Sequence, residues 1–303
     1  MSSDVTGGAT VYYTHHHGAY VPIYDGAAWA MQSFASELSL ALDADTGHSG
    51  YQAANFNYDI FAAMNTGSLV IGTCVNAWLS DTARNTGVGH SELETFGGLR
   101  VNKNSISLRI GSGAADTLAV AARQATLLGT MRASANGQCS MQMRPAAAAG
   151  GTANKLFLCN AYNRETIAAI CRDSTDSWSY TTDTFRAANG SAANAISFVM
   201  SLPGATIQAN YTAVVSHSAG GVAARVGIGY DSTTTPDVPN SNTTTGIGLR
   251  INVDGKFLRT VGDIGLHSLT ALEASQASGT MTWNGDNSVP TAVQMVLGAH
   301  LPV

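Results

Sequence analysis

Charge is scarce in this chain. Only 12% of its 303 residues are Asp, Glu, Lys or Arg, about half the roughly 25% of an ordinary soluble domain. Most catalytic and nucleic-acid-binding designs need clustered charge, and little is present to cluster. The net charge is -5. There is no basic stripe for phosphates, so nucleic acid is not an expected partner. No run of about 18 apolar residues occurs, so membrane insertion is not expected either. The start, Met1-Ser2-Ser3-Asp4, has no basic region and no apolar stretch, and no signal peptide is read there. The four cysteines, Cys74, Cys139, Cys159 and Cys171, show no Cys-x-x-Cys spacing. They read as free, buried thiols in a reducing cytoplasm. A Cys159–Cys171 disulfide across a hairpin is the lesser alternative.

Gly, Ala, Ser, Thr and Asn fill the places that charge leaves open, and the hydrophobic period is mostly two. Val11 to Thr14, Tyr20 to Tyr24 and Glu37 to Asp43 read as short strands, the last with Leu38, Leu40 and Leu42 on one face. Tyr58 to Met64, Leu69 to Leu79, Ile106 to Ile110 and Leu118 to Met131 follow as strands. Residues 134–153 change composition. Pro145, four alanines and Gly150-Gly151 read as a flexible loop near a domain border, too short between breakers for a helix. Strands resume at Lys155 to Tyr162, Thr166 to Arg172, Trp178 to Thr181, Ala195 to Leu202, Ile207 to Ser216 and Val222 to Gly229. Thr233 to Thr245 reads as a long surface loop, before strands at Leu269 to Ala274, Gly279 to Asn284 and Val293 to His300. At roughly 100–200 residues per domain, two domains are expected. They are set at 1–133 and 134–303 as tandem antiparallel, jelly-roll-like β-sandwiches of an all-β chain with little helix.

Few groups present themselves for chemistry. His15-His16-His17 is the most conspicuous run. Neighbours on a strand point to opposite faces, so at most two of the three can share a metal, and no carboxylate or cysteine stands at ligand spacing. The run reads as an exposed polar loop, with a ring of histidines at a symmetry axis as the alternative. Asp231 to Asp237 has two carboxylates and several hydroxyls but too few ligands for a calcium loop, and reads as an Asx/ST turn. Asn163-Arg164-Glu165 and Arg172-Asp173 are expected to form a hairpin-end salt bridge. Glu92 and Glu94 share a strand face without flanking aromatics, so a glycosidase pair is not read there. Gly227 and Gly229 sit within a strand and mark a bulge or a close backbone approach rather than a phosphate loop. No catalytic, cofactor-binding or metal-binding residue is assigned, and no cofactor is expected.

Several strings occur in a suggestive order. They are Val21-Pro22-Ile23-Tyr24-Asp25-Gly26, Glu37 to Leu42, Tyr58-Asp59-Ile60-Phe61, Trp78 to Arg84, Leu128 to Arg132, Asn160 to Arg164, Asp176 to Thr182, Phe185 to Asn189 and Gly227 to Thr234. In this order they resemble a family of tailed-bacteriophage and prophage virion proteins of the tail-fibre-like kind, over roughly residues 12–235. The resemblance implies a non-enzymatic, β-rich virion component, assembled in the bacterial host cytoplasm as a homotrimer beside other tail, baseplate or capsid proteins. It implies no catalytic residue. A tail-fibre or receptor-binding appendage is the first expectation. A capsid decoration or head-fibre protein is the second, and a glycan-degrading depolymerase the third. This chain departs from longer members in having no fibrous repeat or collagen-like shaft. As a receptor binder it would offer the loops Pro145 to Thr152 and Thr233 to Thr245. Tyr12, Tyr13, Tyr20 and Trp29 would stack on a host glycan if exposed, but such strand aromatics more often fill a core.

Overall fold

The strand Ala205–His217 shows how the sequence makes the fold. Ala205, Ile207, Ala209 and Tyr211 are buried, while Thr206, Gln208 and Asn210 face outward. That period-two burial recurs along the chain. In the computed structural model, which describes residues 3–16, 18–287 and 293–303, regular structure consists of strands and one short 3-10 turn, Ala188–Gly190. The protein is all-β and sandwich-like, as the alternation predicts.

Ala205–His217 is the spine of a six-stranded antiparallel sheet. Ile251–Val261 pairs along one edge, and Val296–Pro302 and Met281–Asn284 pair along the other. This sheet faces Ala195–Met200, Gly265–Ser275 and Ala223–Tyr230, which belong to a sixteen-stranded sheet. Phe198, Tyr211, Phe257 and Trp283 fill the space between, all nearly inaccessible. Aromatics of this kind bury about 150–250 Å² each and dominate the energetics of such a core.

The N-terminal strands are layered differently. Asn57–Asn65 lies between Ser68–Cys74 and Thr126–Ala135. Its Tyr58, Ile60 and Ala62 pack under two small two-stranded sheets that contribute Val11, Leu40, Val21 and Ile23. Phe61 and Ala63 point the other way, toward Ile106, Leu108 and Leu127. A strand covered on both faces shows no alternation, which is why this one reads as an apolar run.

The large sheet is continuous through the middle of the chain. Thr126–Ala135 pairs with Asn57–Asn65 and, at its end, with Gln138–Gln142. Gln138–Gln142 pairs with Asn154–Leu156, which lies parallel to Ala195–Met200. Position 133 thus falls inside a strand, and residues 134–153 are not loop throughout. The alanine tract is not loose either. Gly150 N–H donates to Asp173 Oδ1 at 3.0 Å and to Thr175 Oγ1 at 2.9 Å. The stretch 233–245 likewise contains a strand, Asn240–Thr243, and the strand after Leu69 ends at Cys74. Ile251–Val261 goes unread in the sequence because Asp254, Gly255 and Lys256 interrupt it. They nevertheless alternate cleanly, with Val253, Gly255 and Phe257 inward and Asp254 and Lys256 outward.

Candidate functional site

The ordered strings come together in space. Asp59 is fully buried. Its carboxylate accepts from Arg84 Nε at 2.6 Å, Thr130 Oγ1 at 2.6 Å and Trp78 Nε1 at 3.0 Å. Arg84 Nη2 also donates to Asp59 at 2.8 Å and to the Ser201 carbonyl at 2.9 Å, with the guanidinium 4.3 Å above the Trp78 ring. Beside it, Arg132 donates to Asp81 at 2.7 Å and to Asn57 Oδ1 at 3.1 Å. The Asp81 carbonyl accepts from Leu266 N–H at 2.8 Å. Strings around residues 58, 78–84 and 130 therefore form one buried latch, and it fastens the N-terminal strands to residues 201 and 266.

A second latch closes the C-terminal sandwich. Glu273 is fully buried and accepts from Trp178 Nε1 at 2.8 Å and Arg186 Nε at 3.0 Å. Arg186 lies 3.8 Å over the Tyr180 ring. Burial pushes the Glu273 carboxyl up to about 7, although Trp178 and Arg186 pull the other way. Nearby, buried Asp173 accepts from Asn194 at 2.9 Å, Asn189 at 3.0 Å and Thr175 N–H at 2.8 Å. Its burial raises the carboxyl pKa, but these donors together hold it below the usual range. The expected salt bridge does not form: no ion pair among the described residues joins Asn163-Arg164-Glu165 to Arg172-Asp173. Glu165 instead lies 3.8 Å from His16, and Asp173, just past the end of its strand, is buried and turns to amides.

Between the two halves lies a cleft of about 570 Å³. Arg84 and Arg100 line it together with Asp231, Asp263 and His267. Asp231 takes up positive φ at 51° after Ala223–Tyr230, which turns its carboxylate back onto the neighbouring strand. Oδ1 accepts from Ser268 N–H at 2.7 Å and Oδ2 pairs with His267 Nδ1 at 2.8 Å. The His267 ring, 2% exposed, lies between Tyr230 and Phe198, with centroids at 5.2 and 5.8 Å. Its Nε2 has no hydrogen-bond partner among the described residues. The loop beyond Asp231 is an ST turn, since Ser232 Oγ accepts from Thr235 N–H at 2.9 Å. It folds so tightly over its own strand that a Cβ on Gly229 would stand 2.2 Å from the Ser232 carbonyl oxygen, and one on Gly227 2.4 Å from Pro236. The two glycines therefore serve close backbone approach.

The remaining candidates are dispersed. His15 and His16 are exposed, and His17 lies outside the described residues. His15 Nε2 meets the Phe34 carbonyl at 2.7 Å. Glu92 pairs with Lys103 at 2.5 Å and Glu94 with Arg123 at 2.7 Å on the surface. Tyr12 and Tyr20 are exposed, whereas Tyr13 packs on Phe34 and Trp29 stacks on Phe96. All four cysteines are free and buried. Burial pushes the Cys74 and Cys139 thiols up to about 12 and Cys171 to about 11. Sequence reading passed over Glu273 and Arg109. Each had a signal: a lone charge within an alternating or apolar strand. Arg109 is fully buried and pairs with Asp43. His267 had no such signal.

No helix among the described residues is long and apolar enough to cross a membrane, which says nothing of a β-barrel. No family model matches the sequence, and no curated protein matches it. Among solved structures, the chain is similar to an Eiger TNF from S. frugiperda at 8% identity and a TM-score of 0.30, over 46% of this chain and 94% of that one. It is also similar to the insecticidal delta-endotoxin Cry8Ea1 from Bacillus thuringiensis, at 7% identity and a TM-score of 0.25, over 97% of this chain and 52% of that one. A structure of infectious bursal disease virus, Gt strain, overlaps 99% of this chain and 73% of its own at 11% identity, with a TM-score of 0.26. Overlaps this loose assign the chain neither a fold family nor an activity.

Proposed function

We propose that the protein is a non-enzymatic structural subunit of a bacteriophage virion, a tail-fibre or receptor-binding appendage that works as a homotrimer. One observation carries the reading. Four charged residues of the ordered strings, Asp59, Arg84, Arg132 and Arg186, are spent in latches that hold sheets together. Trp78 and Trp178 are spent there as well. In a scaffold of this kind the scarce charge serves packing, and the neutral Ser/Thr/Ala strand faces are left for neighbouring subunits, whose interfaces need be only modestly apolar.

Two measurements test it. Immunogold labelling of purified virions is expected to mark the tail. Label spread over the shell would replace the appendage by a capsid decoration or head-fibre protein, and no label on particles would overturn the virion role. Sedimentation equilibrium at micromolar concentration is expected to give three times the mass of the chain, and a monomer would overturn the trimer. Release of reducing ends from host polysaccharide by the purified protein would overturn the non-enzymatic reading.

A further inference from the structure

The cleft between the halves holds the polar groups that the latches leave uncommitted. Arg100 is exposed and Asp263 is exposed, and neither belongs to an ion pair among the described residues. They line the same cleft as Asp231, which is 40% exposed and keeps lone pairs beyond those given to Ser268 and His267. Because Asp231 can only accept, the proton between it and His267 belongs to Nδ1. In the neutral ring Nε2 is then a bare acceptor. It is buried and has no hydrogen-bond partner among the described residues. Arg84 gives Nε and Nη2 to Asp59 and Ser201, and the described hydrogen bonds leave its Nη1 without a partner. Leu202 and Ile264 also line the cleft.

We infer that this cleft binds a neutral saccharide, with Arg100 donating to ligand hydroxyls and Asp263 and Asp231 accepting from them. His267 holds Asp231 in place. The charge pattern selects the class. An anionic ligand would meet two carboxylates and a cationic one two guanidinium groups. A hydroxyl, which both donates and accepts, suits every group present. The small apolar surfaces match the C–H faces of a sugar ring. The source of the saccharide, a host-surface glycan, rests on the appendage reading; the ligand class does not.

The test uses the full chain. Saturation-transfer NMR and calorimetry are run with neutral oligosaccharides built from glucose, galactose and mannose, and in parallel with uronic-acid and amine-bearing ones. Binding is expected for a neutral sugar. Arg100→Ala and Asp263→Ala, both at exposed positions, are expected to weaken it about tenfold each with an unchanged melting temperature. His267→Phe keeps the ring between Tyr230 and Phe198, removes both ring nitrogens and is expected to weaken binding as well. Neutral-sugar binding that survives both surface substitutions overturns the site. Binding of charged sugars alone overturns the class, and binding of none overturns the inference. Virion labelling is unaffected by any of these results, so the failure of one reading is distinguishable from failure of the other.

Discussion

The two halves of the molecule each bury one carboxylate against one arginine and one tryptophan, yet the two latches are built for different places. Asp59 has Trp78, Arg84 and Thr130 as donors, and Arg84 is only 11% exposed. Glu273 has Trp178 and Arg186, and Arg186 is 34% exposed. The first latch is sealed between the halves and reaches Ser201. The second sits at a sandwich edge, where its arginine rests on Tyr180 and touches solvent. Taking two charges out of water is costly, and their attraction repays it only with full hydrogen bonding. The Asp59 site meets that demand more completely than the Glu273 site. This matches the upward push that burial exerts on the Glu273 carboxyl.

Five substitutions break or sharpen this contrast. The largest effect is expected from Arg84→Ala. It strands a buried carboxylate and is expected to cost about 3–5 kcal/mol in urea unfolding. Arg186→Ala is expected to cost less, roughly 1–2 kcal/mol, because water can reach the vacated side. Equal losses would erase the difference between the latches.

A pH effect, larger than the Arg186 loss, is confined to the second latch. Glu273 binds its proton more tightly when folded, at about 7 against an ordinary 4.5. The native state therefore holds more protons across that window. Stability is full below the lower value and declines as pH rises toward the upper one. The decline is expected to be roughly 3 kcal/mol. Glu273→Gln is expected to flatten it, as read from urea midpoints between about pH 5 and 8. A variant with the same slope as the parent would place the titration elsewhere.

Smaller again is Trp178→Phe, which removes one charge-assisted donor and is expected to cost about 1–2 kcal/mol. The smallest effect is expected from Lys103→Ala. Its partner Glu92 is held below the usual carboxylate range mainly by the hydrogen bond from Lys103, but the pair lies on the surface. No change in melting temperature is expected there, and a clear drop would mean that the surface pairs, as well as the buried ones, carry stability.

Most strands were legible because one face of each is wet. Leu40 and Leu42 are buried where the alternation of Glu37 to Asp43 puts them inward, and Thr166–Arg172 stands where it was read. Two of the strands that escaped show why. Ile251–Val261 carries glycine and charge on an alternation that holds from Asn252 to Leu258, and Asn240–Thr243 is polar throughout, so its place at the sheet edge is set by its partner strand. Of the candidate site, the strings around Asp59, Arg84 and Trp178 were visible as strings. Nothing in them says that residues 59 and 84, or 178 and 273, touch. The Asp231–His267 pair was hidden more deeply, because Asp231 read as one residue of a turn and His267 as none of interest.

The chain by itself determined an all-β fold, the neutrality of its surface and the burial of its thiols, since each follows from composition and period-two spacing. Only the tertiary structure decided what the few charges do. A lone Asp or Arg on a strand is solvated surface or buried latch according to which strand lies across from it, and pairings 25 to 117 residues apart in sequence are a property of sheet topology. The same holds for the cleft, whose lining residues come from opposite halves of the sequence and meet only in the folded chain.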